Sequence, residues 1–176
     1  MSILKVAKIG HPILLKVASE IKNFSRDSLR KIVYNMSETM IDYNGIGLAA
    51  PQVHISKRII ILRNLSDDNS KKINITALIN PEYKPIGDET ENDWEGCLSI
   101  PGMLGLVKRY KRIDYTGFDL EGNKIEDKAE GLSAKVIQHE VDHLNGILYI
   151  NRLADKKAFG FENEINKYWK NLTNEK

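Results

Sequence analysis

Apolar and polar positions divide the chain into helix-like and strand-like stretches. Over residues 25–43, Leu29, Ile32, Val33, Met36 and Met40 recur at three- and four-residue intervals. That spacing predicts an amphipathic helix with Ser25 as its N-cap, and Asn44-Gly45 supplies its stop. A small-residue segment with a proline, GIGLAAPQ, follows at 45–52. The run RIIILR at 58–63 is β-branched and short enough for a buried strand. ITALI at 75–79 predicts a second strand after the polar loop LSDDNSKK, ending at Asn80-Pro81. KRIDYTGFD at 111–119 alternates into the turn 120–123, and KIEDK returns, which predicts a hairpin. A second helix is expected over 131–145, stopped by Asn145-Gly146. A third is expected over 158–172, apolar at Phe161, Ile165, Tyr168, Trp169 and Leu172. This order predicts an α+β fold in one domain spanning 1–176, with antiparallel sheets packed around a central buried helix and a C-terminal helix.

Composition narrows the class without naming an activity. The chain has 176 residues, 41% hydrophobic and 28% charged, which suits one globular unit with a real core. A net charge of +2 gives no nucleic-acid or membrane footprint. The single cysteine, Cys97, rules out an intrachain disulfide and agrees with a reducing compartment. Lysines interrupt the N-terminal apolar stretch, so no signal peptide is expected and the cytoplasm is the expected location.

The chemistry starts in the central helix, which contains QHEVDH at 138–143. His139 and His143 stand four residues apart and share one helix face. Leu132 and Val136 precede them on that face, while Ile137, Val141 and Leu144 make another side apolar. A helix apolar on more than one side belongs in the interior. H-E-x-x-H is the spacing at which two imidazoles bind a metal and the glutamate, Glu140, serves as general base. The blander reading, two histidines filling a polar gap, explains neither the glutamate nor the apolar frame.

Two histidines leave a metal site open, and the residues offer two completions. Downstream, Glu162 and Glu164 are acids that would suit an endopeptidase, although their setting beside Asn163 and Asn166 favours a solvated face. Upstream, Cys97 stands in WEGCLSIPG, in a segment expected to be a strand or extended turn stopping at Pro101. A lone cysteine is more often a small buried hydrophobe. A thiolate with two imidazoles nevertheless suits zinc, ferrous iron, nickel or cobalt, and water in the fourth position would make the site catalytic.

Taken together, GIGLAAPQ, EGCLS at 95–99 and QHEVDH closely resemble the three signature motifs of the peptide deformylase family, in the same order. The similarity runs from about His11-Pro12 to Leu153. It implies that Cys97, His139 and His143 bind one divalent metal, most often ferrous iron in that family. It implies that Glu140 is the general base, and that the Gln52 side chain and the Leu98 backbone N–H hold the formyl oxygen. Two fixed donors where negative charge develops make physical sense for amide hydrolysis. The implied reaction removes the N-formyl group from the initiator methionine of a nascent polypeptide and releases formate. Ile46 and Gly47 are implied beside the substrate, and Glu95, Leu98 and Val136 around the methionine pocket. Asp142 is either a surface acid or, as the resemblance suggests, a partner of Arg109 behind the ligands.

The chain departs from the family pattern at several positions. Lys108 precedes Arg109 where many members have proline, and Leu104 stands where many have an arginine that engages the peptide. Leu132 replaces a frequent phenylalanine. A metal-stapled binding module docking on the ribosome is a third class of reading. It would use the C-terminal lysines 156, 157, 167 and 170, which Glu162 and Glu164 offset.

Overall fold

The computed structural model describes residues 3–22, 26–63 and 74–170. Its element order is helix, strands, central helix, then a short strand and helix, an α+β arrangement with antiparallel sheets. The first helix, α1, spans Arg26–Asp42. Its proposed N-cap, Ser25, and the outlying Leu172 fall outside the described residues. Asn44 takes a left-handed conformation (φ 54°) and ends α1 as its sequence suggests.

A five-stranded sheet is built from β1 (Gly47–Ala49), β2 (Ile59–Arg63), β3 (Ile75–Pro85), β6 (Arg112–Phe118) and β7 (Lys124–Glu130), in the order β1-β2-β3-β6-β7. Strand periodicity explains why β2 is apolar without a break. Ile59 and Ile61 join Leu29, Val33, Met36 and Met40 of α1 in one core. Ile60 points the other way, into a second core with Ala134, Ile137, Val141 and Leu144. The latter four belong to α2, Gly131–Leu144, so each sheet face carries its own helix. Burying each isoleucine contributes roughly 1.5–3 kcal/mol.

The second sheet has three strands, β4 (Thr90–Cys97), β5 (Ile100–Tyr110) and β8 (Phe159–Phe161), in the order β4-β5-β8. Its core includes Ile100, Val107, Leu148 and Tyr149. β5 crosses Pro101, where the sequence suggested a stop. The β4–β5 register jumps between Glu95–Gly105 and Cys97–Ile100, so residues 101–104 have no partner on β4 and a proline there removes no bond to it. β3 likewise outruns its expected end. Asn80 turns left-handed (φ 50°) at an irregularity, its side chain bonds the Ile21 backbone, and the strand continues to Pro85. The third helix is shorter than its periodicity suggests. α3 covers Glu162–Tyr168, because Phe159–Phe161 is taken up by pairing with β5.

Candidate active site

α2 carries the histidines through the interior between the two sheets. It starts at Gly131, whose left-handed φ of 58° suits glycine, and closes at Gly146, φ 71°. A β-carbon on Gly146 would lie 2.6 Å from the Leu15 carbonyl oxygen, so the chain after α2 passes hard against the N-terminal segment. Glu140, Asp142 and His143 are all buried.

The β4–β5 hairpin brings Cys97 to this helix. Cys97 closes β4, Leu98 and Ser99 form the turn, and Cys97 Sγ stands 3.2 Å from His143 Nε2. Donor atoms of Cys97, His139 and His143 all lie within 4.8 Å of one another. Glu162 and Glu164 are not in this group. Burial works against a charged Cys97, but His143 and His139 outweigh it and hold the thiol well below its ordinary range. A thiolate is the form that binds metal.

The two imidazoles are held differently. His139 Nδ1 lies 2.8 Å from Glu95 Oε2. An ionised carboxylate only accepts, so Nδ1 carries the proton and Nε2 is left as the donor atom. Glu95 is in turn gripped by Arg109, with Nε to Oε1 at 2.8 Å and Nη2 to Oε2 at 3.0 Å. Burial pushes the Glu95 carboxyl up, yet His139 and Arg109 together bring it down to about 2. Arg109 also donates through Nη1 to Asp142 Oδ2 at 2.5 Å, and Arg152 holds the other side of Asp142. Asp142 is therefore a buried partner of Arg109 rather than a surface acid. Among the described residues, His143 Nδ1 has no hydrogen-bond partner.

Glu140 faces the same space. Its Oε2 is buried and, among the described residues, has no hydrogen-bond partner. Burial raises its pKa, the histidines lower it, Cys97 and Glu95 raise it, and the balance is about 7. Gly47 in β1 makes room for it, since a β-carbon there would lie 2.5 Å from Glu140 Oε1 and 2.9 Å from Val136 Cγ1. Gln52 comes from the 3-10 turn Ala50–Val53. The Ala49 N–H donates to its Oε1 at 2.9 Å, which turns Nε2 toward Ser99 Oγ (3.3 Å) and Cys97 Sγ (3.5 Å).

These groups open on a cleft of about 600 Å³. Every substrate-side residue named from the sequence, Ile46, Gly47, Glu95, Leu98 and Val136, lines it. Glu95 does so with its carboxylate committed to His139 and Arg109, a role its sequence position did not reveal. Two further residues went unnoticed. Ser99 accepts from Gln52, and Lys8 Nζ donates to the Leu98 carbonyl at 2.7 Å. Ser99 is the last residue of EGCLS and was within reach of motif reasoning; Lys8 carried no signal.

A thiolate, two imidazoles and a buried carboxylate with a free acceptor, at the base of a cleft, fit a divalent metal and the hydrolytic chemistry that goes with one. The donor set and the arrangement on α2 are those a metallohydrolase-type centre requires. The family model described as polypeptide deformylase matches residues 3–159. Peptide deformylase 1 of Bordetella pertussis is 43% identical over 159 residues, covering 89% of this chain and 90% of the relative. The crystal structure of peptide deformylase from Thermotoga maritima superposes with a TM-score of 0.81 at 39% identity, covering 88% of this chain and all of that one. The Met-Ala-Ser-bound class I type b peptide deformylase of Acinetobacter baumannii gives 0.78 at 37%, covering 86% of this chain and 99% of that one.

This chain belongs to the polypeptide deformylase family. The family consists of metal-dependent hydrolases acting on N-formylmethionyl nascent peptides. Among the described residues no helix is long and apolar enough to cross a membrane.

Proposed function

We propose that the chain hydrolyses the formyl amide of formylmethionyl peptides with Glu140 as general base and Gln52 and Leu98 as oxyanion donors. The observation that carries this reading is the buried Glu140 Oε2, without a hydrogen-bond partner among the described residues, beside the Cys97–His139–His143 group. Those three residues would hold one divalent ion, with ferrous iron first and zinc, nickel or cobalt as alternatives for the same donors. When bound, the ion supplies Lewis acidity, polarising the carbonyl and acidifying water.

The chain's own groups do the rest. Glu140 takes a proton from the attacking water and returns it to the leaving amine, giving formate and a free methionine N-terminus. Gln52 Nε2 is oriented by the Ala49 N–H, and the Leu98 N–H is in the turn next to Cys97. Donors fixed beforehand stabilise charge that builds on the formyl oxygen. Glu95 orients His139, Arg109 orients Glu95, and Asp142 holds Arg109. Gly47 leaves room for Glu140 and Val136 that a β-carbon would take, and a tight site beside the donors would favour a formyl group over a larger acyl group.

The methionine side chain is assigned to the part of the cleft bordered by Glu95, Leu98 and Val136, with Ile46 and Gly47 beside the peptide. That the A. baumannii relative is bound to Met-Ala-Ser supports a peptide ligand that begins with methionine. A cytoplasmic location accords with bacterial relatives and a lone cysteine. Transient contact with the ribosome belongs to the same proposal and is supported only by lysines 156, 157, 167 and 170.

Two variants test the assignment. Cys97→Ala is expected to lose bound metal, measured by elemental analysis after desalting. Glu140→Gln is expected to keep it while turnover drops about 10²–10⁴-fold. Full metal retention in Cys97→Ala, or full turnover in Glu140→Gln, would contradict it.

A further inference from the structure

The family match ends at residue 159, yet the chain beyond it returns to the cleft. Residues 101–104 have no partner on β4, and β8 takes up their outer edge, pairing Met103 with Phe161 and Leu104 with Gly160. α3 follows directly and is pinned at two points. Ile165 is buried, its Cδ1 within 3.5 Å of where a β-carbon on Gly160 would be. Trp169, just past the helix, meets Trp94 edge-to-face at 6.1 Å. Trp94, Leu104 and Glu162 all border the cleft.

The charges there are unevenly committed. Lys135 is held by Asp93 at 2.5 Å and Glu91 at 3.2 Å, and Lys8 is bonded to the Leu98 carbonyl. Glu140 is buried at the base, and the Glu95 side chain is 10% exposed and committed to Arg109 and His139. Glu162 is exposed and, among the described residues, has no ion-pair partner. Leu104, the neighbour of β8, brings no charge against it. A peptide leaving the methionine pocket along this wall meets an apolar surface with one open carboxylate.

We propose that α3 is a specificity wall of the cleft, and that Glu162 selects a basic side chain among the residues that follow the formylated methionine. The proposal rests on the deformylase reading and adds to it the class of preferred peptide. An exposed ion pair changes a rate ratio by about two- to five-fold, and added salt shrinks the effect. Glu162 also opens α3, where an acid stabilises a helix start. That role alone would not discriminate between peptides.

The test compares kcat/KM for amidated formyl-Met-Ala-Lys and formyl-Met-Ala-Glu with the metal-loaded protein at low salt, and likewise formyl-Met-Lys-Ser against formyl-Met-Glu-Ser. Wild type is expected to favour the lysine peptide in at least one pair. Glu162→Gln is expected to cut that preference by about two- to five-fold, and Glu162→Lys to reverse it. Because each ratio is read within one variant, a general loss of activity does not imitate the result, and the glutamine variant serves if the lysine one folds poorly. Ratios identical in wild type and Glu162→Gln would overturn the proposal. Wild type is also assayed with amidated formyl-Met-Ala-Ser, where no formate at all would instead defeat the deformylase reading.

Discussion

Gly47 shows how closely single atoms define this centre. A methyl group there would overlap Glu140 Oε1 at 2.5 Å and crowd Val136 at 2.9 Å. Gly47→Ala is therefore expected to displace Glu140, the proposed base, and lower kcat by at least about ten-fold, since small misplacements at a reacting centre cost orders of magnitude. Steady-state kinetics beside a thermal melt checks this; unchanged kcat would mean that Glu140 has slack. At this scale the sequence was most informative where helical spacing does the work. His139, Glu140 and His143 follow from one turn of helix. Cys97 was only one of two completions on residue chemistry alone, because 42 positions separate it from His139 in the chain. The Glu95–His139 bond was illegible for the same reason. Nothing in a strand residue states which helix it will face.

Among the elements, those with a strong local period were legible and those that depend on a partner were not. α1, α2, β2 and the β6–β7 hairpin follow from apolar spacing and turn residues. The expected helix over 158–172 failed at its start, since Phe159 to Phe161 pairs with the part of β5 that β4 leaves free. Pro101 misled for a related reason, because it lies in that same stretch. The stop after α2 was legible, and it carries a stability prediction. Gly146 has φ 71° and no room for a β-carbon against the Leu15 carbonyl. Gly146→Ala is expected to destabilise the fold by about 2 kcal/mol or more, visible as a lower midpoint in urea. A midpoint equal to wild type would show that the segment around Leu15 yields freely.

For the molecule as a whole, Arg109 joins parts that come from distant sequence. From β5 it holds Glu95 of β4 and Asp142 of α2, and through Glu95 it reaches His139. Its side chain is 2% exposed. Arg109→Met leaves the buried Asp142 carboxylate with Arg152 alone and Glu95 with His139 alone, so a loss of about 3–5 kcal/mol is expected, with metal affinity about 10–100-fold weaker through the loosened His139. Calorimetry and a metal-competition titration measure the two effects; wild-type affinity in a folded variant would separate Arg109 from the site. The α+β class with its antiparallel sheets was legible from element order, whereas the β4–β5 hairpin was not, because its glycines and Pro101 obscure the strand pattern. The central claim concerns the reaction itself, and formate release measures it most directly. Metal-loaded protein given formyl-Met-Ala-Ser is expected to release one formate per new methionine N-terminus, and chelation is expected to stop both together. No formate from the loaded protein, or cleavage at an internal peptide bond instead, would contradict the account.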